Sequence, residues 1–354
     1  MFLRPDPAWK FGCGRYIQRP DAFTALKEEI GRIGSKALIL SGRKAWQAVL
    51  DIYDAPLEGI DCSHRIHTQP CCEEAARQYA RDLRQEGADV IVGIGGGRIM
   101  DLAKLTGEFA GCPVINVPTI CATCAAYTPL SVLYTPEGRA LGSWFFENEI
   151  ACLIADTRIM ARQPARYAFA GIADSMAKMI ELDHNMGTAP AGADMVFARY
   201  NAEYLYRRLS AIAPAMPAEL SNGIPSPLID EMVYLTVAAT GMVSGCARGR
   251  GQSALAHGLY EAARTLFTRE AAGYLHGEIV GVGLRLQLKY DGRDLKDLDR
   301  ILASLGLPMH LRDISIPEDG AVYDAIAEDL KKRDLLSREG DSVQRAAQAL
   351  RRIE

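Results

Sequence analysis

At 354 residues, with 49% hydrophobic and 24% charged side chains, the chain can bury one large core or two, which excludes a disordered segment, a stapled miniprotein and a membrane bundle. The 40 basic and 44 acidic residues leave a net charge of −4, and no lysine or arginine stripe interleaved with aromatics tracks a phosphate backbone, so nucleic acid is not an expected partner. The opening MFLRPDPAWKFGCGRY has charges and prolines where a signal peptide needs an apolar run, and no stretch approaches the ~18 apolar residues of a membrane span; the expected location is the cytoplasm, away from any membrane.

From residue 36 to about 160, short aliphatic runs alternate with amphipathic segments, the pattern of βαβ units and a mainly parallel sheet. KALILS, DVIVGIG, PVINVP and ACLIAD read as strands; CCEEAARQYARDLRQEG and RIMDLAKLTGEFAG have apolar positions at helical spacing and end in glycine, as helices do. LSVLYTPEGRALGSWFF interrupts the alternation: two extended runs flank Pro136, Glu137 and Gly138, which predicts a β-hairpin. After Pro164 the texture becomes all-helical, with helices expected over 165–186, 191–209, 227–246, 253–268, 274–290, 294–304, 319–332 and 341–352. The predicted organisation is an α/β domain over 1–162 and a helical domain over 163–354.

DVIVGIGGGRIMDLAK puts Gly95, Gly96 and Gly97 directly between a strand and a helix, so that bare N–H groups at a helix N-terminus can cradle a pyrophosphate. The loop is not a GxGxxG fingerprint, since Arg98 stands where the third glycine would be, and three glycines serve a tight turn equally well. Arg98 adds a charge-assisted donor to the phosphates, or is a solvated arginine at a helix start.

Six histidines are the candidate metal ligands. His64 and His67 lie three apart in an extended run, which sends their side chains to opposite faces, and His184 and His310 have no partner at motif spacing; all four read as packing or surface residues. His257 in SALAHGLYEAARTL and His276 in YLHGEIVGVGLRLQL are each followed by glycine, in helices with an aliphatic face. An imidazole in such surroundings is hydrogen-bonded or bound to a metal. Asp174, in AFAGIADSMAKMIELD, places a carboxylate in the first turn of a long apolar helix, where it is either a cap or a ligand. One aspartate and two histidines would make an open three-ligand site suited to zinc or ferrous iron.

Taken in chain order, GIGGGRIMDLAK, PVINVPTICAT, TPLSVLYTPEG, AGIADSMAK, LAHGLY and LHGEIVGVG resemble the cofactor loop, strand-loop, hairpin, aspartate segment and two histidine segments of the glycerol dehydrogenase branch of the iron-containing alcohol dehydrogenase superfamily. The resemblance spans almost the whole chain. It implies a dehydroquinate synthase-like fold, an N-terminal dinucleotide-binding α/β domain followed by a helical domain, and a homo-oligomer. It further implies one divalent metal, zinc or iron, on Asp174, His257 and His276, acting catalytically on a small-molecule alcohol or carbonyl substrate. NAD or NADP would contact Gly95, Gly96, Gly97, Arg98, Thr119, Ala122, Thr128, Leu130 and Tyr134.

Two departures bear on specificity. Where the glycerol branch has an aspartate that holds the polyol, this loop reads ATCAA with Cys124, and in this loop the sequence is closest to the hydroxycarboxylate dehydrogenases of the superfamily. Losing a carboxylate removes repulsion against an anionic substrate, so a 2-hydroxy or 2-oxo acid is expected over glycerol, with Cys124 at the substrate. The end of the first predicted strand offers Ser41 and Arg43 and no acid, which leaves both cofactors open with the balance toward NADP. Two rival readings remain at this stage: a cyclase similar to dehydroquinate synthase, which shares the HGE segment, and a thiol redox protein built on Cys121 and Cys124. Nine cysteines, an odd number scattered through apolar segments, predict reduced thiols and no disulfide framework.

Overall fold

The computed structural model describes residues 10–135, 140–187, 192–247, 251–336 and 340–353. Its strands are β1 (Arg15–Arg19), β2 (Ala37–Ser41), β3 (Cys62–Ile66), β4 (Val90–Gly95), β5 (Val114–Pro118), β6 (Leu130–Tyr134), β7 (Ala140–Phe145) and β8 (Cys152–Asp156). Six of them form one sheet in the order β1-β8-β5-β4-β2-β3, with every pairing parallel. The four aliphatic runs expected as strands are β2, β4, β5 and β8, and every residue in them is buried. A parallel sheet covered on both faces takes both sides of each strand out of water, so its central strands read as continuous rather than alternating apolar runs.

The edges are chemically different. RYIQR (β1) and CSHRI (β3) are polar and only partly buried, as edge strands commonly are. β3 lies in the stretch expected to be extended, whereas β1 has no apolar run to announce it. Core side chains alternate between the faces. Ile39, Val92, Ile94, Ile115 and Ile154 pack with Phe23, Leu26, Ile30 and Val49 on one side, and Leu38, Leu40 and Ile91 pack with Ala76, Leu83, Leu102 and Leu105 on the other. Each such aliphatic side chain contributes roughly 1.5–3 kcal/mol relative to exposure.

β2 pairs with both β3 and β4, so the chain runs outward to β3 and then returns on the opposite side of β2. The strand order therefore reverses between β2 and β4, and in open α/β sheets the carboxyl ends at such a reversal form the ligand crevice. β6 and β7 pair antiparallel, as the hairpin reading expected; its turn, Pro136 to Gly138, falls outside the described residues.

Beyond β8 no strand occurs among the described residues, and the expected helices are present. The 227–246 segment is one rod of three parts: Pro227–Val233, a π-helical stretch Tyr234–Ala239, and Thr240–Cys246. Among the described residues no helix is long and apolar enough to cross a membrane.

The chain divides into two compact units, one running to Ala168 and adding Ala218–Gly245, the other comprising Phe169–Pro217 and the chain from Cys246 onward. A single boundary at 162/163 would leave 218–245 with the second half; instead that segment joins the first unit. Contacts explain the return. Gln18 Nε2 donates to the Asp230 carbonyl at 2.7 Å, and Gly241 sits against the Tyr127 ring, where a Cβ would come within 2.3 Å of Cδ1.

Candidate metal centre and dinucleotide loop

In the first unit, Gly95 ends β4, Gly96 caps the helix Gly97–Ala110, and Gly97 opens it. The Ile99 N–H turns back on the Gly96 carbonyl at 2.9 Å, whereas the first two N–H groups of a helix have no acceptor within it. A Cβ on Gly96 would lie 2.7 Å from Ile120 Cδ1, so a larger residue there would have to displace the end of that side chain. Thr119 follows β5 and its N–H donates to the Gly95 carbonyl at 3.0 Å, while the Gly42 N–H donates to the Ile94 carbonyl. Gly42, the triple glycine and Thr119 thus share the carboxyl edge of three adjacent strands, at the reversal in strand order. Arg98 and Arg43 are both exposed at the starts of their helices.

One buried lysine ties the loop that carries Thr128 and Leu130 to the helix the glycines open. Lys104 Nζ donates to the carbonyls of Ala125 (2.6 Å), Thr128 (3.1 Å) and Leu130 and pairs with Asp101 at 2.9 Å. The Asp101 carboxylate accepts from the Val132 N–H at 3.2 Å, so helix, loop and β6 are tied together. Ala122, Cys124, Leu130 and Tyr134 are half-buried along this path and Thr128 is buried. Ser41 does not join them. It is fully buried and its hydroxyl meets His64 Nε2 at 2.7 Å, so its side chain serves the sheet and not a ribose.

The C-x-x-C does not have the makings of a reactive dithiol. None of the nine cysteines forms a disulfide. Cys121 is buried, burial pushes its thiol up, and Gln163 Nε2 lies 3.2 Å from its sulfur; a reactive thiol needs exposure and a lowered pKa.

In the second unit, Asp174, His257 and His276 converge, with one donor atom from each lying within 4.8 Å of the others. His257 Nε2 is 3.4 Å and His276 Nε2 3.1 Å from Asp174 Oδ1. Donors bound at ~2.1 Å in a tetrahedral set are about 3.4 Å apart, close to the separation of Asp174 from each histidine, so the three atoms could hold a zinc- or iron-sized ion with one position left open. The expectation that Asp174 sits in a first turn is corrected: its helix, Ala165–Met186, begins nine residues earlier, just after Pro164. Capping is therefore not its role, and a buried mid-helix carboxylate must be matched by other groups.

The glycine after His276 is what lets the ligands meet. A Cβ on Gly277 would fall 1.8 Å from the Ala170 carbonyl oxygen, and one on Gly283 2.5 Å from that of Ala256. The helix His276–Tyr290 therefore lies backbone to backbone against the aspartate helix at one point and against the helix Leu255–Leu266 at another. His276 is further fixed by the Tyr260 ring at 4.2 Å. The Glu278 carboxylate accepts from the Leu275 N–H at 2.8 Å and so caps the helix start.

Behind His257 stands Glu181, fully buried and two turns beyond Asp174. Its Oε2 lies 2.5 Å from His257 Nδ1, and its Oε1 accepts from the N–H groups of His257 (2.9 Å) and Ala254 (2.8 Å). Such a partner leaves Nε2 as the coordinating nitrogen. Burial alone would lower the His257 pKa, but Glu181 and Asp174 outweigh it and push it up to about 9. Burial would raise Asp174, yet the two imidazoles hold it far below the usual carboxylate range. The other histidines go elsewhere. His67 meets the Tyr79 hydroxyl at 3.2 Å and His184 pairs with Asp291 at 2.7 Å.

Glu181, Asp101 and Lys104 were not singled out from the sequence. The seven-residue spacing from Asp174 to Glu181 on one helix is a signal only once Asp174 is known to be mid-helix.

Residues 13–155 match the family model described as iron-containing alcohol dehydrogenase. The chain is 28% identical to the glycerol dehydrogenase of Thermotoga maritima over 86% of its length and 84% of that protein's. To hydroxycarboxylate dehydrogenase A of Escherichia coli it is 27% identical, over 86% of this chain and 84% of that one. A probable glycerol dehydrogenase from Sinorhizobium meliloti shares the fold, with a TM-score of 0.83, 24% identity and 98% coverage of both chains.

Proposed function

We propose that this chain is a metal-dependent, NAD(P)-linked oxidoreductase that interconverts small alcohols and carbonyl compounds, with 2-hydroxy and 2-oxo acids favoured over glycerol. The observation that carries the reading is the convergence of one carboxylate and two imidazoles from three helices, with Glu181 orienting one of them. Bound there, a zinc or ferrous ion would supply Lewis acidity toward the substrate C–O oxygen, and the nicotinamide would take hydride in alcohol oxidation or give it in carbonyl reduction.

The chain's own contribution is placement. Asp174, His257 and His276 would hold the ion, and Glu181 keeps the His257 ring aligned. Gly95, Gly96 and Gly97 present N–H groups to a pyrophosphate, and Arg98 adds a charge beside it. Arg43, exposed at the end of β2 where no acid stands, favours a 2′-phosphate and hence NADP. The neutral Cys124, in the loop position where the glycerol branch carries an aspartate, favours an anionic substrate.

The test is a turnover screen against glycerol, dihydroxyacetone, 2-oxobutanoate and 2-oxoglutarate, with NADH and NADPH, before and after chelation. Reduction of the 2-oxo acids with NADPH, lost on chelation and restored by zinc or ferrous iron, is expected. Turnover with no net change in free cofactor would point to cyclase chemistry and overturn the reading.

A further inference from the structure

Two lysines among the described residues are more than nine-tenths buried, one beside the candidate cofactor loop and one beside the candidate metal centre, and they are treated oppositely. Lys104, 2% exposed, is saturated by three carbonyls and a carboxylate. Lys178, 8% exposed, has no hydrogen-bond or ion-pair partner among the described residues. A buried ammonium without a counter-ion costs several kcal/mol, so a chain that retains one either deprotonates it or matches it with an anion from outside.

Its position says which anion. Asp174, Lys178 and Glu181 follow one another on the helix Ala165–Met186 at spacings of four and three, which puts all three within about 60° of arc on one face. Along the helix axis Lys178 therefore stands between Asp174, of the three-residue cluster, and Glu181, whose carboxylate meets His257. It forms an ion pair with neither, although both lie within one turn. Its charge nevertheless reaches His257, whose protonation it opposes.

We propose that Lys178 is the anchor for the carboxylate of a 2-oxo acid substrate and sets the preference of this site for anionic over neutral carbonyl compounds. The inference rests on the proposed function for its substrate side, since it places the carboxylate one group away from the carbonyl that the cluster would polarise. A 2-oxo acid has that spacing, with the carboxyl carbon bonded directly to the carbonyl carbon. A polyol or neutral hydroxyketone offers no charge to Lys178 and leaves the buried ammonium unmatched, which penalises it relative to the acid.

The experiment uses the metal-loaded full-length protein and the variants Lys178→Met and Lys178→Arg, with metal content and thermal melting recorded for each. Oxamate, a non-reducible 2-oxo acid mimic, is titrated by calorimetry, and kcat/KM is measured for 2-oxobutanoate and for hydroxyacetone. Removing one partner of a buried charge pair predicts, for Lys178→Met, at least about 30-fold weaker oxamate binding. The ratio of kcat/KM for 2-oxobutanoate to that for hydroxyacetone should fall by a similar factor, and Lys178→Arg should recover most of both.

Oxamate binding unchanged in Lys178→Met, equal losses on both substrates, or no oxamate binding by the wild type would each overturn the proposal. Oxamate binding that depends on Lys178 in a protein with no turnover on either substrate would instead uphold the anion site and overturn the proposed reaction. If Lys178→Met fails to fold, the arginine variant decides: loss of oxamate affinity with the charge retained and the metal bound counts against a role in carboxylate binding.

Discussion

The dinucleotide loop and the metal cluster are built on opposite principles. The loop is local: three consecutive glycines at the end of β4 expose N–H groups, and their neighbours Thr119 and Gly42 are supplied by adjacent strands of one sheet. The candidate metal cluster is non-local, with one potential ligand from each of three helices and convergence set by close backbone contacts at Gly277 and Gly283. A local device of this kind would tolerate side-chain change, because what it offers a ligand is backbone N–H. A non-local one depends on each ligand and on the packing that aims it.

This difference orders the expected effects of mutation. Asp174→Asn and His276→Ala remove first ligands and should each lower kcat/KM by about 10³-fold or more, the scale of a lost Lewis acid contribution, with far-UV circular dichroism unchanged. Gly277→Ala drives a methyl into the Ala170 carbonyl; overpacking of that kind should cost about 3 kcal/mol in urea unfolding and weaken metal binding, although alanine touches no ligand. Glu181→Gln keeps the shape but loses the charge on His257, and metal affinity should drop about 10- to 100-fold by competition with a chelating dye.

The pH dependence of metal binding is a sharper probe of the same cluster. The His257 pKa is raised to about 9 in the metal-free protein, so the proton must leave before Nε2 can coordinate. Metal affinity should rise about tenfold per pH unit up to about pH 9 and level off above it. The sign for stability is opposite. A raised folded-state pKa contributes stability that is complete below the unfolded histidine value near 6.5 and is lost as pH rises toward 9, so metal-free protein should melt at lower temperature at pH 9 than at pH 6. The loop should show the smallest effect: Arg98→Ala removes one charge-assisted contact and should weaken NADPH binding about tenfold in fluorescence titration. A larger loss there than for Glu181→Gln on the metal would reverse the comparison.

Legibility in the sequence follows the same line. Strands β2, β4, β5 and β8 were readable because burial on both faces leaves uninterrupted aliphatic runs, and β1 was not, because RYIQR at the sheet edge has nothing to alternate against. The triple glycine could be read as a site because all its parts are adjacent. Asp174, His257 and His276 could not be joined by spacing alone; family resemblance linked them, and their meeting depends on helix approaches that no local pattern encodes. Asp174 was read as a first-turn residue even though the helix expected over 165–186 begins nine residues before it, so the helix itself was legible and only the place of the carboxylate within it was misjudged. Ser41 illustrates the converse: a hydroxyl at a strand end reads as a ligand contact, and only the position of His64 shows it to be spent inside the sheet. The return of 218–245 to the first unit has no sequence signal, since a helix does not state which core it covers.

Equilibrium dialysis against zinc, using chelator-stripped wild type and Asp174→Asn, tests the shared-ion claim most directly. One tightly held ion per wild-type chain, none in the variant, and activity returning in step with occupancy are the predicted results. Zinc held equally well by Asp174→Asn, or undiminished turnover by the stripped wild type, would contradict it.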